Sequence, residues 1–164
     1  METCPYCGLE LNERYCSFCK MEIAAEDVQH DGFRKPLTPD PFVVSAYAEL
    51  STPELMQKST YYLIYLLREV RKERTGRFSS LRIFNKFEDT EYAEQFGEIA
   101  EETGQSYEWW TRKAWVIENI LRDRMDHFPT RITDRYMIEL AENMDQSSKK
   151  PMKLSREKRQ RKPF

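Results

Sequence analysis

Cys4-Pro5-Tyr6-Cys7-Gly8-Leu9-Glu10-Leu11-Asn12-Glu13-Arg14-Tyr15-Cys16-Ser17-Phe18-Cys19 carries two CxxC pairs separated by eight residues. A CxxC turn lets two thiolates converge on one tetrahedral ion, and a second such turn, returned by a short hairpin, supplies two more. The spacing is therefore that of a zinc site with Cys4, Cys7, Cys16 and Cys19 as ligands. The chain has four cysteines in all, so the set is self-contained. Between the pairs, Gly8 to Tyr15 reads as a polar turn flanked by short strands. Gly8 falls directly after the first knuckle, where a positive φ is often needed. About twenty residues cannot bury a useful core, and ion binding, worth about 10–16 kcal/mol in comparable peptides, has to supply most of the folding free energy.

The stretch CPYCGLELNERYCSFCKMEI, residues 4–23, resembles the short zinc-ribbon modules found at the N-termini of bacterial and phage proteins. It departs from their pattern at Lys20, where the second knuckle often has glycine. The resemblance implies a structural Zn2+ that stabilises the module and takes no part in chemistry.

Outward from the ribbon, a chain of 164 residues has room for one ordinary domain besides the metal module. With 40% hydrophobic, 33% charged and 13% aromatic residues, it has the balance of a globular protein with a charged surface and material for a core. The longest apolar run, Tyr61 to Leu67, is far short of a membrane span, and Met1-Glu2-Thr3-Cys4 shows no basic region leading into an apolar one. The expectation is a cytoplasmic protein without membrane association, in a reducing compartment that favours thiolate-bound zinc over disulfides. The net charge of −2 conceals an asymmetry: from Lys149 to Phe164 there are eight cations against Glu157 alone. Such a tail suits phosphate binding, self-association or plain solvation.

The chain divides into four segments. Residues 1–23 form the ribbon, and 24–50 a connector marked by Pro36, Pro39 and Pro41, whose Phe42, Val43, Val44 and Tyr47 are expected to dock on the domain that comes next. Residues 51–146 form that helical domain, and 147–164 a basic, disordered tail. Ser51-Thr52-Pro53-Glu54 supplies an N-cap, a first-turn proline and a capping-box glutamate for a helix running to about Glu73 and ending before Gly76. Leu55, Tyr62, Leu63, Leu66, Leu67 and Val70 recur on its inner face. Ser79 or Ser80 caps a short helix bearing Leu81, Phe84 and Phe87. A further helix spans about 90–103 and closes at Gly104. Another, capped by Ser106, spans about 107–127 with Trp110, Ala114, Ile117, Leu121 and Met125 inward. The last spans about 134–145. With no strand signal beyond the ribbon, the fold class is mainly α.

Within those helices, Ile99-Ala100-Glu101-Glu102-Thr103-Gly104-Gln105-Ser106-Tyr107-Glu108-Trp109-Trp110-Thr111-Arg112 resembles the helix-turn-helix of bacterial and phage regulators, with Gly104 at the turn and Ser106 as second cap. The likeness implies an exposed recognition face of Ser106, Tyr107, Glu108, Thr111, Arg112 and Trp115 directed at double-stranded DNA. Phosphate contacts would come from Arg71, Lys72, Arg74 and Arg77, and from Lys158, Arg159 and Arg161 in the tail. The opposing consideration is the acidic helix before it, where Glu91, Glu94, Glu98, Glu101 and Glu102 would repel phosphates. An ordinary helical hairpin is the alternative.

Catalysis finds little support. His30 and His127 are isolated, no glycine-rich loop cradles phosphate, and four thiolates saturate zinc. The expected function is therefore a non-enzymatic, DNA-associated regulator with no small-molecule substrate. The alternative is an interaction module docking on a protein such as RNA polymerase or a host factor through the ribbon or the Trp109/Trp115 face, although the first expectation for those two indoles is that they widen the core. A third reading stacks single-stranded bases on Tyr6, Tyr15 and Phe18.

Overall fold

The computed structural model describes residues 1–37, 42–87, 90–149 and 152. These group into two compact units, one drawn from 1–38 together with 141 onward, the other from 39–140.

In the first unit, strands β1 (Tyr15–Cys16) and β2 (Met21–Glu22) pair antiparallel, with Tyr15 opposite Glu22 and Cys16 opposite Met21. The turn before β1 places Glu13 and Arg14 at φ 48° and 68°. Asn12 and Tyr15 close it with reciprocal backbone bonds of 3.3 and 2.9 Å. Two consecutive left-handed residues give a hairpin turn whose twist matches that of the strands it joins. After β2 the chain makes a 3-10 turn over Ala25–Asp27 and returns so that Thr3 and Gln29 exchange backbone hydrogen bonds. Leu11 and Ile23 are buried beside Cys4 and Cys16, with Val28 packed against them.

The second unit is built on a long helical hairpin. Helix α1 (Thr52–Met56) is short, and α2 (Thr60–Phe84) starts afresh at Ser59, whose side chain accepts the Tyr62 amide proton at 3.1 Å. Helix α3 (Ala93–Met125), 33 residues long, runs back along the 25 residues of α2, and α4 (Asp134–Ser148) begins in this unit, its residues from Ala141 on belonging to the first. The core lies where Tyr62, Leu63, Leu66, Leu67 and Val70 of α2 meet Ala114, Ile117, Ile120 and Leu121 of α3. Leu55, Met137, Val43 and Ala48 close it. Burial of this size dominates the stability of a small domain, each side chain contributing about 1.5–3 kcal/mol.

The mainly α expectation holds, and docking of the connector holds in part: Val43 is buried and Tyr47 packs on Tyr62 with ring centres 6.1 Å apart, whereas Phe42 is 71% exposed. The helix boundaries differ. One helix is expected from Ser51 to about Glu73, yet the chain breaks at Gln57–Ser59 and then continues through Gly76 and through Ser79 and Ser80, the two expected caps. Most consequentially, the turn expected at Gly104 is absent. α3 passes through Gly97, Gly104 and Ser106 without interruption, so residues 99–112 form one helix and not a helix-turn-helix. A helical glycine costs about 1 kcal/mol relative to alanine. Here that cost is outweighed by pairing along the hairpin, where Phe84 and Phe87 lie against Phe96 at 6.1 and 5.1 Å and Phe78 against Tyr107 at 5.6 Å.

Candidate metal centre and helical surface

The two knuckles are built alike. Gly8 N donates to Cys4 O at 2.9 Å, and Lys20 N to Cys16 O at 2.8 Å. The residue after each pair is left-handed, Gly8 at φ 73° and Lys20 at φ 56°. Lysine thus occupies a conformation that glycine adopts freely, and the turn forms nonetheless.

These turns bring all four Sγ atoms within 4.8 Å of one another. Cys4 and Cys19 lie 3.9 Å apart, Cys7 and Cys16 3.5 Å. A tetrahedron with Zn–S bonds of about 2.3 Å has edges of about 3.8 Å, so the sulfur positions suit a four-coordinate ion. They are too far apart for disulfides, whose S–S length is about 2.05 Å, and all four cysteines are free. Cys4 and Cys16 are fully buried, Cys7 and Cys19 partly. The Cys19 amide donates to Cys16 Sγ at 3.4 Å and brings the Cys16 thiol down to about 7. Desolvation pushes Cys7 upward and Cys19 up to about 12. Zinc bound here would displace those protons, and with four thiolates around it no position remains for a reactive water. Among the described residues this is the one cluster able to hold a metal, and His30 has no part in it.

The residues assigned to DNA contact are placed differently. Ser106, Tyr107, Thr111 and Arg112 lie in the continuous α3. Tyr107 packs on Phe78, Thr111 Oγ1 donates to the Tyr107 carbonyl at 2.8 Å, and Arg112 pairs with Glu108 at 2.6 Å. Arg71 is engaged inside the domain, its guanidinium donating to Glu118 Oε1 at 2.7 Å and to the carbonyl oxygens of Pro129 and Thr130 at 2.8 and 3.2 Å. It therefore ties these elements together. Lys72 is exposed, 3.9 Å from Glu69. Arg74 and Arg77 sit on the distal half of α2, Arg77 exposed. Lys158, Arg159 and Arg161 lie outside the described residues.

Among the described residues, four aromatics are 65% or more exposed, one of them Phe42 of the connector. Trp115 is 65% exposed, and Tyr6 and Phe18, which hold equivalent positions in the two knuckles, are 68% and 76% exposed. Trp109 instead packs edge-on against Trp110 at 4.7 Å, with the Lys113 ammonium 5.5 Å from its ring centre. The role of Arg71 has no signal in the sequence, since its partner is 47 positions away. Among the described residues, no helix is long and apolar enough to cross a membrane. Comparisons with protein-family models, with characterised proteins and with solved structures gave no match.

Proposed function

We propose that this chain is a non-enzymatic, zinc-stabilised interaction module of the cytoplasm that docks a protein partner through aromatic side chains held on rigid elements. The observation that carries the reading is the exposure of Trp115, on a helix whose inner face is already complete with Ala114, Ile117 and Leu121. About two thirds of the residue's surface is left open to solvent. Tryptophan is also the side chain most enriched among residues that dominate protein interfaces. Tyr6 and Phe18 add a second aromatic surface on the ribbon. The ribbon stretch from Glu2 to Ile23 carries the carboxylates Glu2, Glu10, Glu13 and Glu22 against Arg14 and Lys20, a balance that disfavours a stacking platform for nucleic acid.

Association with double-stranded DNA remains as the second reading, supported by Arg74, Arg77, Arg82 and Lys86 along the distal part of α2 and beyond. It loses the recognition helix that the likeness implied. The carboxylates Glu94, Glu98, Glu101 and Glu102 on the antiparallel neighbour also oppose phosphate approach. The discriminating experiment is affinity capture with and without nuclease, using the natural chain and Trp115→Ala. Capture that is insensitive to nuclease and weakened about 30-fold by the substitution supports protein docking. Duplex binding that falls steeply with salt and is indifferent to Trp115 supports the DNA reading.

A further inference from the structure

The distal half of the α2–α3 hairpin lacks something it is built to meet. Beyond Val70 on α2 and before Ala114 on α3, no described side chain is buried, although Phe78, Leu81, Ile83 and Phe84 lie on one helix and Phe96, Ile99 and Tyr107 on the other. Two helices alone cannot enclose such residues, and a helix of this length owes most of its stability to packing. Ile83 and Ile99 remain 55% and 44% exposed.

Toward the far end of the hairpin, beyond Glu73 on α2 and before Glu108 on α3, the cations lie on α2 and the carboxylates on α3. Arg74, Arg77 and Arg82 lie on α2 and Lys86 just after it, whereas Glu94, Glu98, Glu101 and Glu102 lie on α3. Within the described residues a single ion pair crosses from α2 to α3, that of Arg71 and Glu118 at the core end. On one face of the hairpin, Arg77, Ser80 and Phe84 from α2 and Ile99, Glu102, Thr103 and Ser106 from α3 line a groove of ≈ 440 Å³. The α3 members stand at i, i+3, i+4 and i+7, the spacing of a helix seam. Two apolar side chains, Phe84 and Ile99, line the groove among polar ones, with the cation Arg77 contributed by α2 and the carboxylate Glu102 by α3, and among the described residues no ion pair joins that cation to that carboxylate.

A surface with opposite charges on its two edges is complementary to itself after a two-fold rotation, the condition for an isologous contact. We propose that this face binds a second copy of the chain. α2 of each copy lies against α3 of the other, Phe84 and Ile99 form the apolar centre, and Arg77 of each copy faces Glu102 of its mate. The product is a four-helix bundle in which the exposed distal seam becomes interior. Neither a nucleic acid nor a singly charged protein surface matches both edges at once.

Sedimentation equilibrium on the full zinc-loaded chain tests this, with far-UV circular dichroism as the control for folding. The natural chain is expected to dimerise. Arg77→Glu alone sets carboxylate against carboxylate, and Glu102→Arg alone sets guanidinium against guanidinium, so each should weaken dimerisation at least about tenfold. An equimolar mixture of the two variants restores opposite charges at both symmetry-related positions and should form a heterodimer. The double variant in one chain should dimerise like the natural protein. A natural chain that stays monomeric, or a dimer unaffected by either reversal, overturns the proposal, as does failure of the mixed variants to associate while both remain folded. Trp115→Ala leaves this equilibrium unchanged, so partner docking and self-association fail or succeed separately.

Discussion

Arg71 and Glu118 meet at 2.7 Å between α2 and α3, and both side chains are largely withdrawn from solvent, 19% and 15% exposed. The guanidinium lies 5.6 Å from the Phe128 ring centre and also holds the carbonyls of Pro129 and Thr130. One side chain therefore fixes the helix pair and the segment leading to α4. Arg71→Ala leaves Glu118 partly buried without its counter-charge and frees two carbonyls, and is expected to cost about 2–3 kcal/mol in urea unfolding. Arg71→Lys keeps the charge but lacks the planar fork and should recover less than half of the loss.

Gly104 offers a direct contrast between a turn and a helix. A Cβ at this position would meet nothing within 4 Å, and the same is true of Gly97 and Gly76. Gly104→Ala should therefore stabilise the domain by about 0.5–1 kcal/mol, through higher helix propensity and lower entropy of the unfolded chain. A left-handed turn residue would give the opposite sign. Thermal unfolding followed by circular dichroism reads the difference.

At the metal centre, Lys20 stays at φ 56°, where a non-glycine residue costs about 1 kcal/mol. Lys20→Gly should strengthen zinc retention several-fold in a chelator competition. Gly8→Ala, at φ 73° and with its added Cβ only 2.7 Å from Met152 Cβ, should weaken it by more than that. The two substitutions act on equivalent positions of the two knuckles, so their opposite signs test the equivalence itself.

Removal of zinc by a strong chelator is expected to erase the near-UV signals of Tyr6, Tyr15 and Phe18 while the helical far-UV signal persists. The ribbon's buried set consists of Cys4, Leu11, Cys16 and Ile23, too little apolar surface to hold the fold without an ion. Loss of both signals in one transition would contradict this.

Glu54 accepts hydrogen bonds from the Ser51 amide at 2.8 Å and from its hydroxyl at 2.6 Å. These bonds hold its carboxyl below the ordinary value of 4.5. A group whose pKa is depressed on folding contributes stability above its unfolded pKa and loses that contribution as pH falls through the folded one. Stability should therefore decline with acidification across the carboxylate range, and Ser51→Ala should flatten that decline relative to the natural chain. Urea unfolding at successive pH values provides the check.

The sequence is most informative where local chemistry is self-sufficient. Two CxxC turns and a glycine after the first specify a metal knot without reference to the rest of the chain, and Ser51 with Glu54 announces a helix start. It misleads at Gly104 and Ser106, because turn residues declare a preference that pairing over the length of a hairpin can override. Phe78 on Tyr107 and Phe84 on Phe96 are the contacts that do so. Arg71 escapes a local reading for a related reason. A cation near the end of an apparent helix looks like a surface group until the helix continues and a carboxylate 47 residues away is brought beside it.

The unbroken course of α3 also makes it a measuring rod. At about 1.5 Å per residue, its 33 residues span about 50 Å. Ile99 on the self-association face and Trp115 on the docking face are held about 24 Å apart along a single axis. Whatever engages the two faces is kept at a set distance, and inserting one helical turn between them would move the docking points by about 5.4 Å and rotate them little.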